Sequence, residues 1–136
     1  LVHSEGQKNK CFSARLARIY SGLNAVLGSH NPDEAAMEQV FTAKNAASAL
    51  KLGQARGVAV AACAAHGLDV SDYEPRLVKN SLTGVGSADK EQVAFMVRRM
   101  LNLGQQRLAL DTTDALAVAI CHLGRRRLAR LAAKVS

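Results

Sequence analysis

Residues 31–41 read NPDEAAMEQVF. Asn31-Pro32-Asp33 is a turn signal, and the short, mostly apolar run after it reads as a buried strand whose one anomaly is Glu38. Outward from this strand the periodicity is helical. Before it, Leu16, Ala17, Ile19, Tyr20, Leu23, Val26 and Leu27 recur at helical spacing from Ser13 until Gly28 stops the pattern. After it, Asn45 can cap a long helix reaching about Ala65, whose second half, GVAVAACAAHG, is apolar almost all round and so calls for burial on several sides. Gly53 and Gly57 lie one turn apart there and would let another helix approach closely. LDVSDYEP suggests a second strand, Pro75 can begin a short helix, and TGVGS is a glycine loop ending in the candidate cap Ser87. A helix from Ala88 to Leu103 follows, and the last begins near Asp111 and runs through DALAVAICHL into GRRRLARLAAK. Strands alternating with helices predict an α/β architecture with helices against a sheet, in a single domain over residues 1–136.

Composition narrows the function. Eighteen Lys and Arg against eleven Asp and Glu give a net charge of +7, which favours a polyanionic partner, with nucleic acid the leading candidate. Aromatic residues make up only 4%, too few for extensive base stacking, so binding should rest on phosphate contacts. Cys11, Cys63 and Cys121 lie far apart and match no CxxC spacing, which fits a reducing, cytoplasmic setting. The longest apolar run, Val58 to Ala65, is too short to span a bilayer, so no membrane role is expected. The chain begins at Leu1 rather than methionine, which reads as a processed, tagged or truncated start.

The chemistry-bearing residues are acidic. Asp111 and Asp114 are three apart at the start of the last helix and project from one face. Their repulsion is offset by the positive end of the helix macrodipole, by roughly 0.3–1 kcal/mol each, so capping alone is one explanation for the pair. Glu38 favours another. A half-buried strand glutamate without a partner either neutralises or requires a cation, and three converging carboxylates make a hard-cation site for Mg²⁺ or Mn²⁺. In a basic protein such a site points to phosphodiester cleavage.

Three blocks, NPDEAAMEQVFTAKNAASALKLGQARGVAVAA, RLVKNSLTGVGSADKEQV and DTTDALAVAICH, resemble successive signatures of RuvC-type Holliday-junction resolvases in their family order. RLARIYSGL before them is similar to the family's first helix. The resemblance implies an RNase H-like fold, a mixed sheet flanked by helices, acting as a homodimer on four-way junction DNA beside a branch-migration complex, with Mg²⁺-dependent nicking in recombination and repair. It implies that Glu38, Asp111 and Asp114 are three of four acidic catalytic, metal-binding residues. The fourth belongs to a GIDPG-like first strand, which LVHSEGQKNKC at residues 1–11 does not match. The expectation is therefore an N-terminally truncated chain lacking the first strand or hairpin, with little nuclease activity until that strand is restored. The alternative is a catalytically inactive DNA-binding or dimerisation fragment of the same fold.

The resemblance also implies DNA-binding roles for Phe41, which would stack on opened bases, and for Lys79 and Lys90 beside the scissile strand. Core packing for Phe41 and ordinary solvation for the lysines are the competing readings. His122 lies two turns beyond Asp114, where a ligand or base role competes with helix packing. Arg125, Arg126, Arg127 and Arg130 can grip DNA or solvate a helix end.

Overall fold

The computed structural model describes residues 11–39 and 44–135. Its elements run α1 (Phe12–His30), β1 (Ala35–Glu38), α2 (Ala46–Ala65), β2 (Val70–Tyr73), α3 (Pro75–Thr83), α4 (Lys90–Met100) and α5 (Leu110–Val135). The described residues form one small parallel sheet in which β1 and β2 pair. The alternation of strand and helix expected from the sequence is thus present, and Glu38 is the last residue of β1.

Local chemistry sets the boundaries. Asn45 adopts extended backbone and its Oδ1 accepts from the Ser48 amide at 2.9 Å, relieving one of the orphan N–H groups of α2. Pro75 opens α3, where its missing N–H costs nothing and its φ suits the first turn. Gly84 ends that helix with φ at 78°, a left-handed conformation that penalises any side chain. Two residues later Gly86 packs against Arg76, whose Cγ would lie 2.7 Å from an added Cβ, so a larger residue there would have to displace that side chain. The cap of α4 is Asp89 rather than Ser87. Asp89 accepts from the Gln92 amide at 2.8 Å while the Gln92 side chain accepts from the Asp89 amide at 2.9 Å, a reciprocal capping box that starts the helix later than the Ser87 reading placed it.

The described residues form two compact units, one from residues 11–35 and 44–70, the other from 36–39 and 71–135. In the first, α1 packs on α2 around Leu27, Ala62, Cys63 and Leu68, with Leu23 against them. The apolar second half of α2 is less enclosed than its composition led us to expect. Of its residues, Ala62 and Cys63 are buried, whereas Gly57, Ala61 and Ala64 face outward with Leu50 and Gly53 on the same side of the helix.

In the second unit, α3, α4 and α5 enclose Tyr73, Val78, Leu82, Ala88, Val93, Val97, Ala117, Val118 and Cys121. Because β2 contributes Tyr73 and β1 contributes Ala36 to this cluster, the same core that joins the helices also anchors the strand ending in Glu38. Leu82 is almost wholly enclosed there. Leu82→Ala should lower stability by about 2–5 kcal/mol, the usual cost of a buried leucine truncation, measured by urea unfolding. An unchanged midpoint would mean that this cluster does not hold the unit together.

Candidate active site

Glu38 is placed by backbone pairing. Immediately beyond it, the Gln39 amide donates to the Tyr73 carbonyl at 2.8 Å, so the end of β1 is held against the end of β2. The carboxyl is half-buried at this strand exit. Asp114 comes from α5, whose orientation is fixed by buried Thr113, Ala117 and Val118 on its inward side. The Thr113 hydroxyl donates to the Ala109 carbonyl at 3.2 Å, which satisfies the one polar side chain buried in that face. Lys79 comes from α3, between buried Val78 and Leu82, and is half-buried itself.

The three side chains are electrostatically coupled. Burial pushes the Glu38 carboxyl above the ordinary glutamate range, the negative charge of Asp114 pushes it further, and the Lys79 ammonium pulls it back. Two carboxylates whose charges act on each other, offset only in part by a lysine, favour added positive charge. Asp111 lies in the first turn of α5, exposed, one turn before Asp114. Among the described residues no group of three or more His, Cys, Asp or Glu side chains is arranged to hold a metal ion. The structure thus brings Glu38 and Asp114 together, and the threefold carboxylate cluster expected from the sequence is not assembled among those residues. Two carboxylates still suit a hard divalent cation: Mg²⁺ is commonly held by one or two of them, with water completing its octahedron.

His122 has a definite role in the packing. Its Nδ1 shares a 2.8 Å hydrogen bond with the buried Tyr73 hydroxyl, and the two rings meet edge to face with centroids 5.7 Å apart. Sequence spacing placed His122 below Asp114 but gave no sign of Tyr73, which is 49 residues away and whose strand could have faced either way. Lys90 is the first residue of α4, exposed beside the Asp89 cap. Phe41, a candidate for base stacking, lies outside the described residues. Arg125, Arg127 and Arg130 are exposed on the second half of α5.

Known proteins resemble this chain in both sequence and fold. The sequence profile of the family described as "Crossover junction endodeoxyribonuclease RuvC" matches residues 5–122. A protein of that name from Oleidesulfovibrio alaskensis is 63% identical over 122 residues, covering 90% of this chain and 73% of the relative. One from Nitratidesulfovibrio vulgaris is 57% identical over 125 residues, covering 92% and 75%. Among solved structures, RuvC of Thermus thermophilus superimposes with a TM-score of 0.82 at 33% identity, covering 91% of this chain and 75% of that one. The same protein in complex with a Holliday junction substrate gives a TM-score of 0.84 over the same shares. These likenesses assign the RNase H-like fold.

The raised Glu38 affinity for protons has a consequence for stability. Between the ordinary glutamate value of 4.5 and its own higher one, the native state holds more of this proton than the unfolded state does, so stability falls as pH rises through that interval. Glu38→Gln removes the penalty. In metal-free buffer the variant should become the more stable protein as pH rises toward neutrality, and the difference should shrink in acid. A difference that stays constant across pH in urea titrations would show that Glu38 does not ionise in a repulsive, desolvated setting.

Proposed function

The chain belongs to the crossover junction endodeoxyribonuclease RuvC family, a family of hydrolytic nucleases, and on that premise we propose that it resolves Holliday junctions by Mg²⁺-dependent hydrolysis at the Glu38–Asp114 pair. The observation that carries this reading is the coupling of those two carboxylates beside Lys79, in a protein whose net charge is +7. Carboxylates that repel each other would have little purpose in a site for a phosphate unless a cation stood between them and the substrate.

Glu38 and Asp114 would hold the cation, with Asp111 one helical turn from Asp114 as a further oxygen donor. When bound, Mg²⁺, or Mn²⁺ in its place, supplies charge that lowers the pKa of water and neutralises the phosphate as it is attacked. The reaction is then ordinary hydrolysis: a water oxygen bonds to phosphorus, the bond to the departing strand oxygen breaks, and that oxygen takes up a proton. Lys79 sits where its ammonium already acts on Glu38, and it can pair with a non-bridging phosphate oxygen entering the same space. Lys90 offers a second cation at the start of α4. Phe41 would stack against a base opened at the crossover. The Tyr73–His122 hydrogen bond ties the end of β2 to α5, so it holds the strand beside Glu38 in register with the helix that bears Asp114.

The junction has two-fold related strands, which a two-fold dimer matches. The outward side of α2 suits such a contact: Leu50, Gly53, Gly57, Ala61 and Ala64 follow one another there, and an added Cβ at Gly53 or Gly57 meets nothing within 4 Å of this chain. Among the described residues no helix is long and apolar enough to cross a membrane. A cytoplasmic site of action, with junctions delivered by a branch-migration complex, completes the proposal.

Two experiments test it. In a protein that carries a GIDPG-like first strand, Asp114→Asn should reduce Mg²⁺-dependent nicking of a synthetic four-way junction by at least about a thousandfold, roughly 4 kcal/mol of barrier, while junction binding in a gel-shift titration stays within about twofold of the unsubstituted protein. Undiminished nicking would remove Asp114 from the site. Gly57→Leu should move the protein toward monomer in sedimentation while its circular dichroism is retained. A dimer that persists in the folded variant would place the interface elsewhere.

A further inference from the structure

The last helix has two halves of different character. From Leu110 to His122 it carries the acids and inserts Thr113, Ala117, Val118 and Cys121 into the core. From 123 to 135 none of its residues is buried, and Leu128 is 67% and Leu131 52% exposed. That second half contains Arg125, Arg126, Arg127, Arg130 and Lys134 and no acidic residue, so it supplies five of the seven net positive charges of the chain. Leu123, Arg126, Arg127, Arg130, Leu131 and Lys134 line a shallow groove of about 300 Å³ along the helix.

Such spacing is unfavourable for an isolated helix. Arg126, Arg130 and Lys134 succeed each other at four-residue intervals, where like charges repel and where a glutamate would have given favourable pairs. Interaction with the helix dipole does not account for the pattern, because it acts only over the last turn and so reaches Lys134 but not Arg125 to Arg127. A ladder of cations along a segment that contains no acid is what a polyanion with regularly spaced charges stabilises.

We propose that the second half of α5 is a duplex-tracking arm whose Arg126, Arg127, Arg130 and Lys134 contact the phosphate backbone of a junction arm away from the crossover. The inference rests on the nuclease reading of Glu38 and Asp114, since it takes DNA as the polyanion, and it adds a footprint. One continuous helix joins the two regions, so at 1.5 Å per residue the cations stand roughly 18 to 30 Å along α5 from Asp114. Duplex DNA rises about 3.4 Å per base pair, so the arm reaches phosphates at most about nine base pairs from the cut.

The test replaces Arg126, Arg127, Arg130 and Lys134 together by Gln, a good helix former, alongside a control in which the three arginines become Lys. Affinity for a four-way junction and for a linear duplex is measured across salt concentrations in Mg²⁺-free buffer, with ethylation interference to map phosphates and circular dichroism to confirm folding. The Gln variant should bind both DNAs about tenfold or more weakly, its salt slope should fall by about 0.9 for each phosphate it no longer neutralises, and interference that the unsubstituted protein shows on the arm, within about nine base pairs of the cut, should vanish. The Lys control should keep the slope. An unchanged slope and footprint in the folded Gln variant overturn the proposal, as does loss of binding to anionic lipid vesicles with DNA binding intact. A protein that carries a GIDPG-like first strand and still fails to nick the junction would instead sink the functional reading, while the duplex titration would still report on the arm.

Discussion

A half-buried glutamate at the end of a strand, facing an aspartate of like charge, constrains the rest of this protein. The pair costs native-state stability in the absence of a cation, since burial and the Asp114 charge both raise the free energy of ionised Glu38 and Lys79 only partly compensates. It persists because surrounding structure over-determines it. The end of β1 is tied to β2 through Gln39 and Tyr73, Tyr73 is tied to α5 through His122, and α5 is seated by the core it shares with α3 and α4. Residues that look like plain packing, Val78, Leu82, Val97, Ala117 and Cys121, therefore hold charges in a relation that those charges would relax if they were free to do so. Such stored repulsion is common at catalytic sites, where stability is exchanged for function.

The last helix gathers unlike electrostatic tasks on one rigid element. Its first turns present carboxylates, which suit a cation, and its later turns present only cations, which suit phosphate. Were the two mixed, each acid would pair with a nearby arginine, and both a metal and DNA would meet charges already neutralised. Separation along the helix axis limits pairing between the acids of the first turns and the cations of the later ones, because charges farther apart than about a Debye length across solvent are largely screened at physiological salt. In the proposed function the acids would mark where the backbone is cut, and the proposed arm would hold the duplex leading away from it.

Much of this was legible in the sequence, for identifiable reasons. The turn at Asn31-Pro32-Asp33, the cap at Asn45 and the start at Pro75 are decided by local chemistry, so β1, α2 and α3 begin where the residues say they should. Glu38 announced itself as a charge in an apolar strand, and its opposition to Asp114 follows once both are placed. Other features depend on which of two equally good local signals prevails, or on contacts far apart in the chain. Ser87 and Asp89 both qualify as caps, and Asp89 prevails because Gln92 can answer it. The apolar run of α2 gave the amount of hydrophobic surface but not how much of it this chain would cover by itself. The bond between Tyr73 and His122 required knowing which way a four-residue strand faces. Neither periodicity nor spacing could bring Lys79 to Glu38; the family resemblance implied only a place for Lys79 beside the scissile strand, and its action on Glu38 depends on residues far apart in the chain.

The most direct measurement of the central claim is the proton titration of the Glu38 carboxyl itself, followed by carbon NMR of selectively labelled protein with and without Mg²⁺. If Glu38 and Asp114 face each other as a cation-binding pair, the metal-free midpoint lies above that of an ordinary glutamate, drops when Asp114 is replaced by Asn, and drops further in the native protein when Mg²⁺ is added. A midpoint at the ordinary value, indifferent to both Asp114 and Mg²⁺, would contradict the account, because the two carboxylates would then share neither a field nor an ion.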